Sequence, residues 1–234
     1  MAEQTESTQY VIAPEAQKSL AVTDTDRRFP VGRIFCVGRN YADHAIEMGH
    51  DPDREEPFFF MKPTSSLVTD GRFPYPSMTS DVHHEVEMVV AIGKGGRDIA
   101  VADAFDHVYG YGVGLDMTRR DLQAVAKKQG RPWETAKAFD ASAPCSPLVA
   151  TRAIGHPIKG AVTLAVDGDI RQQGNLDQMI WKTPEIISYL SGLFELLPGD
   201  LIMTGTPAGV AAVSRGQRME ATIEGIGSLT VEVI

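Results

Sequence analysis

The stretch EVEMVVAIG, residues 85–93, begins with alternating acidic and apolar side chains and then becomes entirely apolar. This pattern is typical of a β-strand that runs from a polar edge into a hydrophobic core. Side chains on a strand alternate between its two faces, so Glu85 and Glu87 are predicted to point the same way, about 6.6 Å apart along the strand. Val86 and Met88 are therefore expected on the opposite face.

Short apolar segments separated by glycine turns surround this strand. They predict a mostly β core of the α+β class, arranged as a barrel or as several sheets. Further strands are predicted at 34–38, 110–115, 162–166, 170–172, 201–204, 217–223 and 228–234. The few expected helices lie at 41–48, 102–109, 118–129 and 185–194. The third of these would begin with a capping box from Thr118 to Asp121 and end at Gly130.

The chain of 234 residues is long enough to bury one sizeable core. Residues 1–29 are predicted to be a loosely structured N-terminal arm, and residues 30–234 a single domain. The formal net charge of −9, without a long run of Lys or Arg, argues against a nucleic-acid partner.

Neither a membrane span nor a secretory signal is predicted. No apolar run approaches the roughly 18 residues that a membrane-spanning helix needs, and the polar residues 1–10 do not resemble a signal peptide. Cys36 and Cys145 match no zinc or redox spacing. These features predict a cytoplasmic protein without a membrane partner.

The paired glutamates are candidate metal ligands. Two like charges ~4 Å apart repel by roughly 4 kcal/mol at an effective dielectric of about 20, and a cation between them would reverse the sign. Asp116, after the glycine-rich strand 110–115, could supply a third oxygen. Carboxylates without His or Cys favour Mg²⁺, Mn²⁺ or Ca²⁺ over zinc. The alternative, which the spacing of two glutamates favours when taken alone, is a solvated acidic strand face.

Histidines near these acids have two different interpretations. His83 and His84, directly before Glu85, are expected to be hydrogen-bonded structural groups rather than ligands. His44 and Glu47 lie three residues apart on a predicted helix and share a face. A carboxylate beside an imidazole can orient it as a general base that activates water, although an ordinary surface pair is what the spacing alone favours.

Several residues could bind an anion. Arg120 and Gln123 share a face of the helix that follows Asp116, Lys137 lies among small and apolar residues, and Thr206 lies in a Gly/Pro turn that can present its hydroxyl. Each also has a structural alternative: an ion pair with Asp121 or Glu134 for Arg120, a snorkelling surface position for Lys137 and a turn-forming role for Thr206.

Taken together, these segments resemble the fumarylacetoacetate hydrolase superfamily. The matching segments, in the family's order over about residues 30–234, are VGRNYADH (37–44), HEVE (84–87), GY (110–111), LDMT (115–118) with Arg120, Asp121 and Gln123, PW (132–133), AK (136–137) and GTPAGV (205–210). Within the superfamily the chain looks most like the acylpyruvase and fumarylpyruvate hydrolase branch, on the segments RFP (28–30) and AIGKGGRDI (91–99).

The resemblance implies a mixed β-sandwich roll with a barrel-like core and a few short helices, forming the catalytic domain of a homodimer. Mg²⁺ or Mn²⁺ is the implied cofactor, with Ca²⁺ as an alternative. The resemblance assigns metal binding to Glu85, Glu87 and Asp116, water activation to His44 and Glu47, charge stabilisation to Lys137, and substrate binding to Arg39, Arg120, Gln123 and Thr206.

The implied reaction is metal-dependent hydrolysis of the C3–C4 bond of an acylpyruvate, with fumarylpyruvate giving fumarate and pyruvate. The dyad would activate a water that attacks the C4 carbonyl, and the metal and Lys137 would stabilise charge on the C2 oxygen. Oxaloacetate decarboxylation and a carboxymethyl-hydroxymuconate-type isomerisation or decarboxylation are alternatives on the same metal site. Arg54, Lys62 and Arg72 are candidates for binding a distal carboxylate of the acyl group.

Overall fold

The computed structural model describes residues 9–43 and 55–234. In chain order its strands are β1 (Ser19–Val22), β2 (Thr25–Pro30), β3 (Ile34–Gly38), β4 (Phe58–Lys62), β5 (Leu67–Val68), β6 (Arg72–Phe73), β7 (Val82–His83), β8 (Val86–Ile92), β9 (Val108–Leu115), β10 (Thr118–Arg119), β11 (Ala143–Pro144), β12 (Val149–Ala150), β13 (Ala161–Val166), β14 (Asp169–Asn175), β15 (Leu201–Met203), β16 (Ala212–Val213), β17 (Arg218–Ile223) and β18 (Gly227–Val233). The helices within these ranges are α1 (Arg120–Gln129), α2 (Glu134–Lys137), α3 (Thr151–Ile154) and α4 (Thr183–Leu193), with 3₁₀ helices at Thr64–Ser66, Val101–His107 and Leu176–Gln178. The prediction of a mostly β, α+β fold is confirmed.

The strands form several open sheets. A six-stranded sheet has the order β12-β9-β8-β15-β3-β4, and a five-stranded sheet has the order β14-β13-β17-β18-β6. Three smaller sheets contain β10-β7-β16, β1-β2 and β11-β5. Among the strands that the structure describes, none closes a barrel, so the roll consists of sheets packed on one another. None of the helices described is long and apolar enough to cross a membrane.

Strand β8 lies in the middle of the six-stranded sheet, and all seven of its residues are buried. Val86 and Met88 belong to the larger hydrophobic core, which the five-stranded sheet shares through residues such as Leu164. Val89 and Ala91 belong to a second core on the other face. The alternation confirms that Val86 and Met88 face away from the side on which Glu85 and Glu87 lie.

The structure differs from the prediction for the second half of the N-terminal arm. Strands β1 and β2 pair as an antiparallel hairpin, and Leu20 and Phe29 are buried in the second core. Each strand contributes only a few apolar residues, so the local pattern resembles a loose segment. The hairpin is ordered because its apolar side chains cover one face of the central sheet. The local sequence of the arm cannot show that surface, because it is formed by residues distant in the chain.

The register of the central sheet places two of the acids at one edge. Strands β8 and β9 are antiparallel, with Val86 opposite Leu115. Glu85 directly precedes β8 and Asp116 directly follows β9, so both residues lie at the same edge. The backbone N–H of Asp116 donates to the carbonyl of Glu85 at 2.8 Å. The antiparallel pairing itself therefore brings the two carboxylates together.

Helix α1 begins later than predicted. Arg119 is its N-cap residue and makes no side-chain capping bond, so the predicted capping box is wrong. The Thr118 hydroxyl instead lies 3.3 Å from Glu85 Oε1 and 3.2 Å from the Asp116 carbonyl oxygen. The Thr118 hydroxyl thus bonds to groups at the acid cluster and does not cap a backbone N–H of the helix. Gly130 ends the helix in the left-handed conformation, as predicted.

Candidate active site

Glu85, Glu87 and Asp116 form one carboxylate cluster at the edge of the central sheet. One oxygen from each residue can be chosen such that all three lie within 4.8 Å of one another. The residues are only 5%, 2% and 1% exposed. The alternative of a solvated acidic strand face is therefore excluded, and the three carboxylates repel one another in a medium of low polarity.

Three basic side chains contact this cluster. Lys137 Nζ lies 2.8 Å from Glu85 Oε2 and 2.6 Å from Asp116 Oδ2. Lys62 Nζ lies 2.8 Å from Asp116 Oδ1, and Arg120 pairs with Glu85 Oε1. Lys137 is 2% exposed, so the snorkelling surface position considered for it is excluded. Three carboxylates and three cations balance, and these six groups have a formal charge of zero.

Glu87 has a different environment from the other two acids. Its Oε2 accepts a hydrogen bond from the backbone N–H of Gly205 at 2.7 Å. Burial raises the pKa of Glu87 well above its usual value, and the charges of Asp116 and Glu85 raise it further, while the Gly205 N–H acts in the opposite direction. A divalent cation between the carboxylates would turn this repulsion into attraction.

The Lys137 ammonium group is held in its charged form. Burial alone would lower the pKa of Lys137, but the neighbouring carboxylates of Asp116 and Glu85 outweigh burial and raise it. The cluster therefore contains a buried ammonium in contact with two carboxylates, which provides positive charge without access to bulk water.

The donor set fits a hard divalent cation. Three carboxylates are the oxygen ligands that Mg²⁺, Mn²⁺ and Ca²⁺ prefer. Among the described residues, the group that could hold an ion contains neither neighbouring histidine. One ring nitrogen of each has a partner outside the cluster: His83 Nε2 lies 2.9 Å from Asp81 Oδ1, and His84 Nδ1 lies 2.9 Å from Gln172 Oε1. Glu85, Glu87 and Asp116 could thus hold the cation without imidazole ligands.

A cavity beside the acid cluster brings the predicted anion-binding residues together. Arg39, Arg120, Gln123 and Thr206 line it with Lys137 and the three acids. Arg120 Nη1 donates to Gln123 Oε1 at 2.5 Å, as their shared helical face allows. The predicted residues His44 and Glu47 lie between 43 and 55, outside the described residues.

Arg39 enters the cavity from the end of β3 with an unusual backbone conformation. Its φ of 57° is left-handed, which costs a non-glycine residue about 1–2 kcal/mol. The next residue, Asn40, is fully buried and donates from Nδ2 to the carbonyl oxygens of Trp181 and Thr204, at 2.9 and 2.8 Å. These bonds fix the chain where Arg39 turns towards the cavity.

Two of the three residues suggested to bind a distal carboxylate of the substrate do not line the cavity. Lys62 is 1% exposed, and its Nζ bonds Asp116, the Ser142 hydroxyl at 2.9 Å and the carbonyl of Lys137. Arg72 is exposed on β6 and does not line the cavity. Both suggestions are wrong, and Arg54 lies outside the described residues. Phe58, Phe60 and Lys62 alternate along β4 and therefore share one face of the strand. Because both phenylalanines line the cavity, this alternation could have indicated that Lys62 lies next to the acid cluster.

Gln172 is a residue of the site that the sequence did not indicate. It is fully buried on β14, and its Nε2 donates to Thr206 Oγ1 at 2.7 Å and to the Pro207 carbonyl at 2.8 Å. Its Oε1 lies 2.9 Å from His84 Nδ1 and accepts from the Val86 N–H at 3.1 Å. Gln172 therefore joins the Thr206 turn to the segment that carries the acids, and it occupies one lone pair of the Thr206 hydroxyl.

Gln172→Leu should lower kcat by about 10-fold, because supporting residues around a metal site typically contribute 10- to 100-fold. The melting temperature should also fall, since the buried His84 and the Val86 N–H would lose their partner. Gln173→Leu is the matched control, because Gln173 is the exposed neighbour on the same strand. Steady-state rates and thermal unfolding of both variants test this, and equal behaviour of the two would contradict it.

The comparisons with known proteins agree with this geometry. The family model described as fumarylacetoacetate (FAA) hydrolase C-terminal matches residues 33–234. The crystal structure of fumarylpyruvate hydrolase from Pseudomonas aeruginosa in complex with Mn²⁺ and pyruvate is similar, with 54% sequence identity and a TM-score of 0.95. That alignment covers 97% of this chain and 99% of the other.

Other relatives have names that refer to oxaloacetate. The mitochondrial oxaloacetate decarboxylase of Dictyostelium discoideum is 45% identical over 196 residues, which is 83% of this chain and 89% of that protein. The mitochondrial oxaloacetate tautomerase FAHD1 of Homo sapiens is 44% identical over 201 residues, 86% of this chain and 90% of that protein. Similar chains thus have different named activities.

Proposed function

Because the chain belongs to the fumarylacetoacetate hydrolase family, we propose that it is a divalent-metal-dependent hydrolase that cleaves the C3–C4 bond of an acylpyruvate, with fumarylpyruvate as its substrate. Mg²⁺ is the proposed physiological ion, held by Glu85, Glu87 and Asp116. The similarity to a fumarylpyruvate hydrolase over nearly the whole chain supports the choice of substrate. The homodimer and the cytoplasmic location stay predictions.

The charge balance of the cluster carries this proposal. Its three carboxylates already have three basic partners in contact with them, Lys62, Arg120 and Lys137. When bound, a divalent cation would act as a Lewis acid towards the pyruvoyl oxygens. Counting that ion, the same groups carry a net charge of about two positive units, which suits a pyruvoyl group with its carboxylate and a second developing negative charge.

The described residues have separate roles in the proposed reaction. Arg120 and Gln123 orient the C1 carboxylate, with their own hydrogen bond fixing the arginine fork. The Thr206 hydroxyl, held from behind by Gln172, has its hydrogen free to turn towards the substrate. The Lys137 ammonium stabilises negative charge that forms on the C2 oxygen as the C3–C4 bond breaks.

The bond changes balance as a hydrolysis. Glu47, through His44, takes a proton from water, and the hydroxide oxygen bonds to C4. The electron pair of the C3–C4 bond passes to the three-carbon fragment, whose C3 then receives a proton to give pyruvate. The acyl fragment leaves as a carboxylic acid, which is fumarate when the substrate is fumarylpyruvate.

Oxaloacetate decarboxylation or tautomerisation is the second candidate. The names of the relatives from Dictyostelium discoideum and Homo sapiens favour it. Decarboxylation needs no activated water, because loss of CO₂ leaves no bond to be hydrolysed, whereas tautomerisation moves a proton and uses a general base. The dependence on His44 therefore discriminates hydrolysis from decarboxylation, and the comparison of substrates discriminates hydrolysis from tautomerisation.

A side-by-side assay tests the proposal. Fumarylpyruvate, acetylpyruvate and oxaloacetate are given to the purified enzyme with Mg²⁺ and after EDTA treatment. We expect fumarylpyruvate to have the highest kcat/KM and EDTA to abolish its turnover. His44→Ala should lower hydrolysis by about 10²-fold, as expected for a general base, and leave decarboxylation of oxaloacetate unchanged. Higher kcat/KM for oxaloacetate, or hydrolysis that ignores His44, would reject the hydrolase assignment.

A further inference from the structure

Lys62 is a buried lysine that contacts groups from distant parts of the chain. It ends β4, is 1% exposed and does not line the cavity. Its ammonium donates to the backbone carbonyls of Met117, at 3.3 Å, and of Lys137, and to the Ser142 hydroxyl at 2.9 Å. These three acceptors match the three hydrogens of an ammonium group. Lys62 therefore has a fixed position and no hydrogen left for a substrate.

The contact between Lys62 and Asp116 is consequently one of charge. Lys62 Nζ lies 2.8 Å from Asp116 Oδ1, and this oxygen makes no hydrogen bond with any residue that the structure describes. The other oxygen, Oδ2, accepts from Lys137 Nζ at 2.6 Å. Asp116 thus keeps Oδ1 available to a metal ion, while a neighbouring cation lowers the cost of burying its charge.

The backbone carbonyl of Lys137 is held by two donors. Lys137 ends the short helix α2, so its carbonyl has no partner within the helix. It accepts from Lys62 Nζ and from the Ser142 hydroxyl, which lies 3.1 Å away. Ser142 is fully buried, and its own carbonyl accepts from the Met117 N–H at 3.0 Å. Lys62 and Ser142 therefore fix the point from which the Lys137 side chain leaves the backbone.

The Lys137 ammonium has one hydrogen more than its carboxylate partners use. It donates to Glu85 Oε2 at 2.8 Å and to Asp116 Oδ2 at 2.6 Å, its two hydrogen bonds within the described part of the chain. The third hydrogen remains for an acceptor in the cavity, which Lys137 lines. The direction of this hydrogen depends on the positions of the Lys137 backbone and of Asp116, and Lys62 contacts both.

We propose that Lys62 is a positioning residue for the hydrolysis, which holds the Lys137 backbone and the Asp116 carboxylate in a fixed relation and so directs the third ammonium hydrogen of Lys137 at the C2 oxygen. The inference rests on the proposed function, because that function gives Lys137 its role. Lys62 does not touch the substrate and acts through Lys137. Its position should persist when a divalent ion binds, since none of its three hydrogen-bond acceptors is a proposed metal ligand.

Lys62→Met removes the ammonium and keeps an unbranched side chain. With the complete chain and saturating Mg²⁺, kcat for fumarylpyruvate should fall by about 10- to 100-fold, the usual effect of a residue that orients groups at a metal site. KM should stay the same, because Arg120 and Gln123 keep their places. Calorimetric titration should show that Mg²⁺ binds as tightly as in wild type or more tightly, since a cation beside Asp116 is lost. Weaker Mg²⁺ binding and a raised KM alongside the loss in kcat would show a role in the fold alone and overturn the inference.

The double variant Lys62→Met/Lys137→Met gives the sharpest measurement. If Lys62 acts through Lys137, the double variant should be no slower than Lys137→Met alone, within about 2-fold. Losses that multiply, or a wild-type kcat in Lys62→Met, overturn the inference while hydrolysis itself stands. A wild-type rate in Lys137→Met overturns the proposed role of Lys137 and the inference together, as does a wild-type enzyme that hydrolyses no acylpyruvate.

Ser142→Ala keeps the inference testable if thermal unfolding shows that Lys62→Met does not fold. It removes the hydroxyl that joins Lys62 to the Lys137 carbonyl and leaves both charges in place. We expect kcat to fall by about 2- to 10-fold, the range of one or two lost hydrogen bonds, with no further loss in combination with Lys137→Met. A wild-type kcat in Ser142→Ala contradicts the inference. Lys159→Met, at an exposed lysine, is the control with the same charge change as Lys62→Met and should match wild type.

Discussion

Glu87→Gln is expected to remove detectable turnover and to weaken Mg²⁺ binding strongly. The substitution keeps the shape of the side chain and an oxygen that can accept from the Gly205 N–H, but it removes the negative charge. Glu85 and Asp116 already have basic partners in contact with them, so Glu87 contributes a large part of the attraction for a cation. Loss of a Lewis acid worth several kcal/mol corresponds to at least about 10³-fold in rate.

The same substitution should have an opposite effect on the metal-free protein. Burial and the neighbouring negative charges disfavour the ionised form of Glu87 and raise its pKa, so a neutral amide relieves repulsion. The melting temperature without metal should stay the same or rise, while the increase on adding Mg²⁺ should be lost.

Calorimetric titration with Mg²⁺, thermal unfolding and kinetics measure these effects. Glu232→Gln, at an exposed position of β18, is the control with the same charge change. Full activity of Glu87→Gln, or of wild type after EDTA treatment, would contradict a metal-dependent reaction.

Lys137→Met should lower kcat by about 10³-fold while Mg²⁺ binds as well as before or more tightly. The ammonium contacts both Glu85 and Asp116 and is the buried positive charge proposed to stabilise the C2 oxygen. Removing a group that stabilises charge in the transition state typically costs 10²- to 10³-fold. The two carboxylates then lose a competing cation, which favours binding of a metal ion.

The signs of these two predictions separate the roles. Glu87→Gln lowers both rate and metal affinity, whereas Lys137→Met lowers the rate alone. Lys137→Arg should keep the buried charge and fold if the methionine variant does not, and Lys159→Met at an exposed position is the control. A rate loss in Lys137→Met that excess Mg²⁺ restores would show that the lysine acts only through the metal.

The prediction of the central strand needed only local information. A period of two and a run of apolar residues are properties of neighbouring side chains, and burial of β8 on both faces follows from them. The hairpin of β13 and β14 was predictable for the same reason, because the tight turn at 167–168 joins two alternating segments.

The structure of other elements depends on contacts with segments that are distant in the chain. The helix predicted at 102–109 is a 3₁₀ helix over Val101–His107, and Val108 already begins β9. Pairing of β9 with β8 competes with helix formation there, and the partner strand decides the outcome. Thr118 likewise contacts the acid cluster rather than a helix end.

The sequence by itself determined the family and the carboxylate trio, because Glu85 and Glu87 share a strand face and the ordered motifs identify Asp116 with them. Only the tertiary structure decided which cations balance that trio, and that the side-chain amide of Gln172 holds the Thr206 hydroxyl. Local spacing specifies a side chain's face, whereas an ion pair or a buried hydrogen bond needs two segments distant in the chain. Sheet register and helix packing bring those segments together, and they are properties of the whole fold.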